Sequence, residues 1–137
     1  MRRISDEELY ELAAEAAQRA YAPYSGFFVG AALLTSDGRV FTGCNIENAS
    51  YSVTVCAERV ALFSAVTAGA REFSAIAVAG GREGDTSAPC PPCGVCRQAL
   101  TEFCDPTLPV ILSDGEGGVE RHTLGEILPL SFGADKL

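Results

Sequence analysis

The chain of 137 residues has no tryptophan, a single histidine and only ten basic residues. It also lacks any run of about 18 apolar residues, so no membrane span is expected. Its first residues, Met1-Arg2-Arg3-Ile4-Ser5-Asp6-Glu7-Glu8, turn acidic before an apolar stretch can follow the arginines. That order does not match a secretory signal and points to the cytoplasm. The scarcity of Lys and Arg leaves a formal net charge of −8. Binding a phosphate backbone draws on clustered basic side chains, and no basic run is present, so nucleic acid is not expected as a partner. A small neutral ligand suits this charge better. The lone histidine, His122, reads as a surface strand residue and not as a metal ligand.

Hydrophobic residues make up 47% of the chain, enough to build a core without disulfides. The length fits one compact domain over residues 1–137. Six cysteines are present: Cys44, Cys56, Cys90, Cys93, Cys96 and Cys104. In a reducing compartment, clustered cysteines bind metal or do chemistry more often than they pair. Cys44 and Cys104 read as small buried apolar residues. Cys90 reads as a loop thiol that repeats the Cys-x-x-Cys spacing with Cys93.

Ser5 and Glu8 form a capping-box pattern ahead of Leu9, Leu12, Ala13, Ala16, Ala17 and Ala20, which keep helical spacing; Pro23 ends this region. Phe27 to Thr35 suits a buried strand, Ser36-Asp37-Gly38 a turn, and Arg39 to Ile46 a second strand of a hairpin. Glu47 to Val55 reads as loop, Ala57 to Ala68 as a helix closed by Gly69, and Ala75 to Ala79 as a short buried strand. Gly80 to Pro92 reads as loop because it is rich in Gly, Pro and Asp. A helix over Gly94 to Phe103, strands at Val110 to Ser113 and Val119 to His122, and a brief helix from Leu124 complete the pattern. The order αββαβαββα predicts an α/β fold: three layers, α/β/α, around a five-stranded mixed sheet.

Two segments share one grammar. Cys56 opens Ala57-Glu58-Arg59-Val60, and Cys93 and Cys96 open Arg97-Gln98-Ala99-Leu100. A helix N-terminus offers free N–H groups and partial positive charge, which favour thiolate over thiol. Two such termini facing each other can hold Cys56, Cys93 and Cys96 around one Zn²⁺ per chain. Three protein ligands leave the fourth tetrahedral position for water, the arrangement of a catalytic site. Three thiolates and the ion sum to a negative charge, which Arg59 and the helix termini offset. Glu58, two residues past Cys56, can reach the water and move its proton.

These residues resemble the zinc deaminase signature, a Cys₃ centre with a non-ligand Glu. The resemblance is closest to the small homotetrameric cytidine deaminases and covers nearly the whole chain. It is carried by Tyr21-Ala22-Pro23-Tyr24-Ser25, Val29-Gly30-Ala31-Ala32-Leu33, Gly43 to Tyr51, Cys56-Ala57-Glu58-Arg59, Pro92 to Gln98, and Leu128-Pro129. It implies that Asn45 and Glu47 bond the ribose 3′-hydroxyl and that Phe27 packs on the pyrimidine. It implies that the Ala57 N–H holds the base carbonyl, that Ala49 and Tyr51 reach the ribose of a neighbouring subunit, and that Phe132 closes over a neighbour's base. The implied activity is hydrolytic deamination of cytidine and 2′-deoxycytidine in pyrimidine salvage. Zinc-bound hydroxide would attack C4 while Glu58 shuttles the proton. Rival readings are a deaminase of a modified cytosine nucleoside, a nucleic-acid editing deaminase, and a structural metal module using Cys90, Cys93, Cys96 and Cys104.

Overall fold

The computed structural model describes residues 3–137. Helix α1 (Asp6–Ala17) starts where the capping box predicts: the Glu8 N–H donates to Ser5 Oγ, and the Ser5 N–H to Glu8 Oε1. It ends at Ala17, so Ala20 lies beyond it. Strands β1 (Phe27–Thr35) and β2 (Val40–Cys44) form the hairpin, with Gly38 in the turn at φ +93°. A short 3₁₀ turn at Tyr51–Val53 precedes α2 (Ala57–Thr67). Strand β3 (Phe73–Arg82), α3 (Gly94–Thr101), β4 (Pro109–Ser113), β5 (Val119–Thr123) and α4 (Leu124–Ile127) follow.

The sheet order is β2-β1-β3-β4-β5. Only β3 and β4 run parallel, which requires the crossover that α3 supplies; the other neighbours are antiparallel. Alternation along each strand assigns the two faces. Leu33, Ile76, Val78, Val110 and Leu112 point to one core with Leu62 of α2 and Leu100 of α3. Ala32, Ala75, Ala77, Ala79 and Ile111 point the other way, onto Leu9 and Ala13 of α1. This is the predicted three-layer α/β/α arrangement. Two glycines let the helices settle on the sheet. A Cβ at Gly30 would stand 2.0 Å from the Ala13 carbonyl oxygen in α1. One at Gly43 would stand 2.6 Å from the Ala57 carbonyl oxygen in α2. Gly43 therefore seats the helix that carries Cys56 and Glu58.

One expectation is corrected. Gly80 to Arg82 is not loop: it extends β3, with Val29 opposite Gly80, Phe28 opposite Gly81 and Phe27 opposite Arg82. Glycine there reflects crowding, not a turn, since a Cβ at Gly80 would lie 2.9 Å from Val29 Cγ2 and 3.0 Å from Cys90 Sγ. Among the described residues, no helix is long and apolar enough to cross a membrane.

Candidate active site

Cys56 is the N-cap of α2 and Cys93 the N-cap of α3, both with extended backbone. Neither side chain caps its own helix, which leaves both sulfurs free to turn toward a common point. Cys96 sits in the first turn of α3 and is fully buried. The sulfurs of Cys56 and Cys93 are 3.6 Å apart, and those of Cys93 and Cys96 are 3.4 Å apart. All three lie within 4.8 Å of one another. Sulfurs bound at about 2.3 Å to one tetrahedral ion lie about 3.8 Å apart, so this soft donor set fits zinc closely. The Cys96 thiol, and then Arg59, draw Cys56 toward thiolate. Cys93 is exposed, so the group opens on one side.

Among the described residues, Cys90 and Cys104 are not in the group. Burial pushes the Cys90 thiol up to about 11 and the Cys104 thiol up to about 12. Both pack against the core of the α2 and α3 face. The four-cysteine module that joins them to Cys93 and Cys96 is therefore not assembled.

Beside the thiols stands Glu58, only 3% exposed. Burial pushes its carboxyl up to about 7, and the charge of Cys56 adds to the rise. Such a group can both take and give a proton near neutrality. Arg59 places Nη2 3.9 Å from Cys56 Sγ and 3.3 Å from the Thr54 carbonyl. Its Nε is buried with no partner. The N–H of Ala57, first residue of α2, has no acceptor within its own helix.

The segment that delivers Cys93 is held from a distance. Gln18 Nε2 donates to the Gly84 carbonyl at 3.1 Å, Tyr10 Oη to that of Thr86 at 2.7 Å, and Ser113 Oγ to that of Ser87 at 2.8 Å. Pro89, Pro91 and Pro92 then stiffen the approach. Arg97 Nε closes it by donating to the Pro92 carbonyl at 2.7 Å.

The segment of Asn45 and Glu47 is joined to the one that leads into Cys56, because Ile46 and Val55 exchange backbone hydrogen bonds at 2.9 and 3.0 Å. Both side chains are buried, and both bind backbone. Asn45 Oδ1 accepts from the Val29 N–H and its Nδ2 donates to the Phe27 carbonyl, each at 2.9 Å. Glu47 Oε1 accepts from the N–H groups of Tyr24 and Ser25, at 2.9 and 3.1 Å. Its Oε2 accepts from Ser25 Oγ at 2.5 Å. The Ser25 hydroxyl, and then the two N–H groups, hold this carboxyl below the usual carboxylate range.

The aromatic candidates are open: Phe27 is 39% exposed, Phe132 60% and Tyr51 73%. Tyr51 stands edge-on to Tyr24 at 6.3 Å. Ala49 is also exposed. The Phe132 carbonyl accepts from Gln98 Nε2 at 2.8 Å, which ties the tail to α3. His122 lies on β5 beside Glu120, outside the thiol group, as a strand residue. Ser25 and the loop anchors Tyr10, Gln18 and Ser113 were not singled out as site residues from the sequence. Ser25 had one signal, its place in the Tyr21 to Ser25 motif.

Residues 3–112 match the family described as the cytidine and deoxycytidylate deaminase zinc-binding region. A cytidine deaminase of Sporosarcina psychrophila is 47% identical over 131 residues, 96% of this chain and 93% of that protein. One from Halalkalibacterium halodurans is 48% identical over 129 residues, covering 94% and 95% of the two chains. Among solved structures, the cytidine deaminase of Burkholderia pseudomallei superposes with a TM-score of 0.85 at 52% identity, covering 94% of this chain and 100% of that one.

Proposed function

The chain belongs to the cytidine and deoxycytidylate deaminase zinc-binding family, and from that premise we propose that it hydrolyses cytidine and 2′-deoxycytidine to uridine and 2′-deoxyuridine with release of ammonia. The observation that carries this reading is the buried Glu58 carboxyl standing beside three clustered thiols. Cys56, Cys93 and Cys96 would hold one Zn²⁺ per chain. Bound there, zinc supplies Lewis acidity that makes water a nucleophile at neutral pH.

The remaining work falls to the chain's own groups. Glu58 delivers a proton to ring N3, which makes C4 electrophilic. Water adds at C4 as the Glu58 carboxylate takes its proton. Glu58 passes that proton to the amine, the C4–N bond breaks to release ammonia, and the C4 hydroxyl returns its proton to Glu58 as the carbonyl forms. The Ala57 N–H binds the base carbonyl. Arg59 offsets the negative charge of the thiolates. Asn45 and Glu47 receive the ribose 3′-hydroxyl, and Phe27 packs on the pyrimidine.

The reading extends to a homotetramer in which Ala49, Tyr51 and Phe132 complete a neighbour's site. The exposure of the two aromatics on one chain supports it, since rings of that size are normally covered. It also extends to one such domain over residues 1–137, working in cytoplasmic pyrimidine salvage; six free thiols suit a reducing compartment. The test is to add cytidine to purified protein and follow the ultraviolet change to uridine, with and without a zinc chelator. No conversion by zinc-replete protein would overturn the reading.

A further inference from the structure

We propose that Ser25 is a positioning residue for sugar recognition: it holds Glu47 with a single acceptor position free and ties that carboxylate to Phe27. The proposal rests on the reading of Glu47 as the contact to the ribose. A carboxylate offers about four lone-pair positions. On Glu47, the N–H groups of Tyr24 and Ser25 take the two on Oε1, and Ser25 Oγ takes one on Oε2. One position remains, on Oε2, and it suits one sugar hydroxyl.

The Ser25 hydroxyl is itself fixed from both sides. Its only proton goes to Glu47, and its oxygen accepts from the Phe27 N–H at 3.0 Å. The residue that packs the base and the residue that binds the sugar are thereby linked through one oxygen. Without that oxygen, Oε2 gains a second open position, which water fills in competition with the sugar. The carboxylate also loses one of its three restraints, while Phe27 stays seated through the Asn45 Nδ2 bond to its carbonyl and its pairing with Arg82. Ser25 is exposed while Glu47 is buried, so removing the hydroxyl leaves no cavity in the core. An effect of Ser25→Ala confined to the substrate with the hydroxyl therefore reports on Glu47, not on packing.

The experiment measures kcat and KM for cytidine and for 2′,3′-dideoxycytidine, which lacks the sugar hydroxyl at issue. It uses the zinc-replete wild type, Ser25→Ala, Ser25→Thr and Glu47→Gln. Ser25→Ala should raise KM for cytidine about tenfold, the effect of one charge-assisted hydrogen bond, with kcat little changed. KM for the dideoxy substrate should stay within about twofold, and Ser25→Thr should restore the cytidine value. Equal losses on both substrates, or no loss on either, overturn the proposal. If Glu47→Gln separates the two substrates while Ser25→Ala does not, the ribose reading stands and the role of Ser25 falls. If Glu47→Gln fails to separate them, the ribose reading falls and takes the proposal with it.

Discussion

The two halves of the candidate site are built differently. Around the thiols, the groups needed for the proposed chemistry come from two helix starts of one chain, and two of them, Cys96 and Glu58, are sealed from water. Around Asn45 and Glu47, the polar atoms are buried and held by backbone, but the aromatics Phe27, Tyr51 and Phe132 stand open. The first half is preorganised by the fold; the second sets a fixed polar floor beside aromatics that are exposed on the single chain. The difference separates the work of reacting from that of enclosing: a raised carboxyl needs burial within the chain, whereas a cover can be supplied by a neighbouring molecule.

The largest effect should come from the thiol half. Cys96→Ser should remove both bound zinc and turnover, checked by metal analysis beside the ultraviolet assay; full zinc occupancy would break the three-thiol assignment. Glu58→Gln should keep zinc and lower turnover by about 10³-fold. Retained turnover would remove Glu58 from the mechanism. The same substitution has a signature in metal-free protein. The Glu58 carboxyl moves from 4.5 to about 7 in the fold, so the wild type progressively loses stability as pH rises through that window. A Gln there does not ionise, so the variant should gain on the wild type between about pH 5 and about pH 8 in urea melts. A gap that does not widen would contradict the burial of a chargeable group.

On the open half, Tyr51→Ala should raise KM for cytidine about tenfold and leave zinc content unchanged. Loss of zinc in that variant would mean that the halves are not separable. The smallest effect should come from the remote anchor. Tyr10→Phe removes the hydrogen bond to the Thr86 carbonyl and should cost about 1 kcal/mol in denaturant unfolding. No change would show that this anchor adds nothing to the segment leading into Cys93.

Much of the thiol half is legible from local patterns. A Cys-x-x-Cys at one helix start and a Cys-x-Glu at another are short-range features, and helix capping is decided within a few residues. The strand and helix order is legible for the same reason. The glycines at 80 and 81 misled because a residue suited to turns also suits a crowded strand, and only the pairing with β1 distinguishes the cases. Ser25 and Glu47 lie 22 residues apart, and Tyr10 and Thr86 lie 76 apart; such pairs leave no periodic trace in one sequence.

By itself, the sequence determines which residue types head the two helices, where the hydrophobic periods change, and how little positive charge is available for a polyanion. These follow from local sterics, capping and composition. Only the tertiary structure decides that Cys56 meets Cys93 and Cys96 within 4.8 Å, that Glu58 is cut off from water, and that Glu47 is left with one free acceptor position. Those outcomes depend on the sheet order and on the crossover carrying α3, which set distances and burial between segments far apart in the chain.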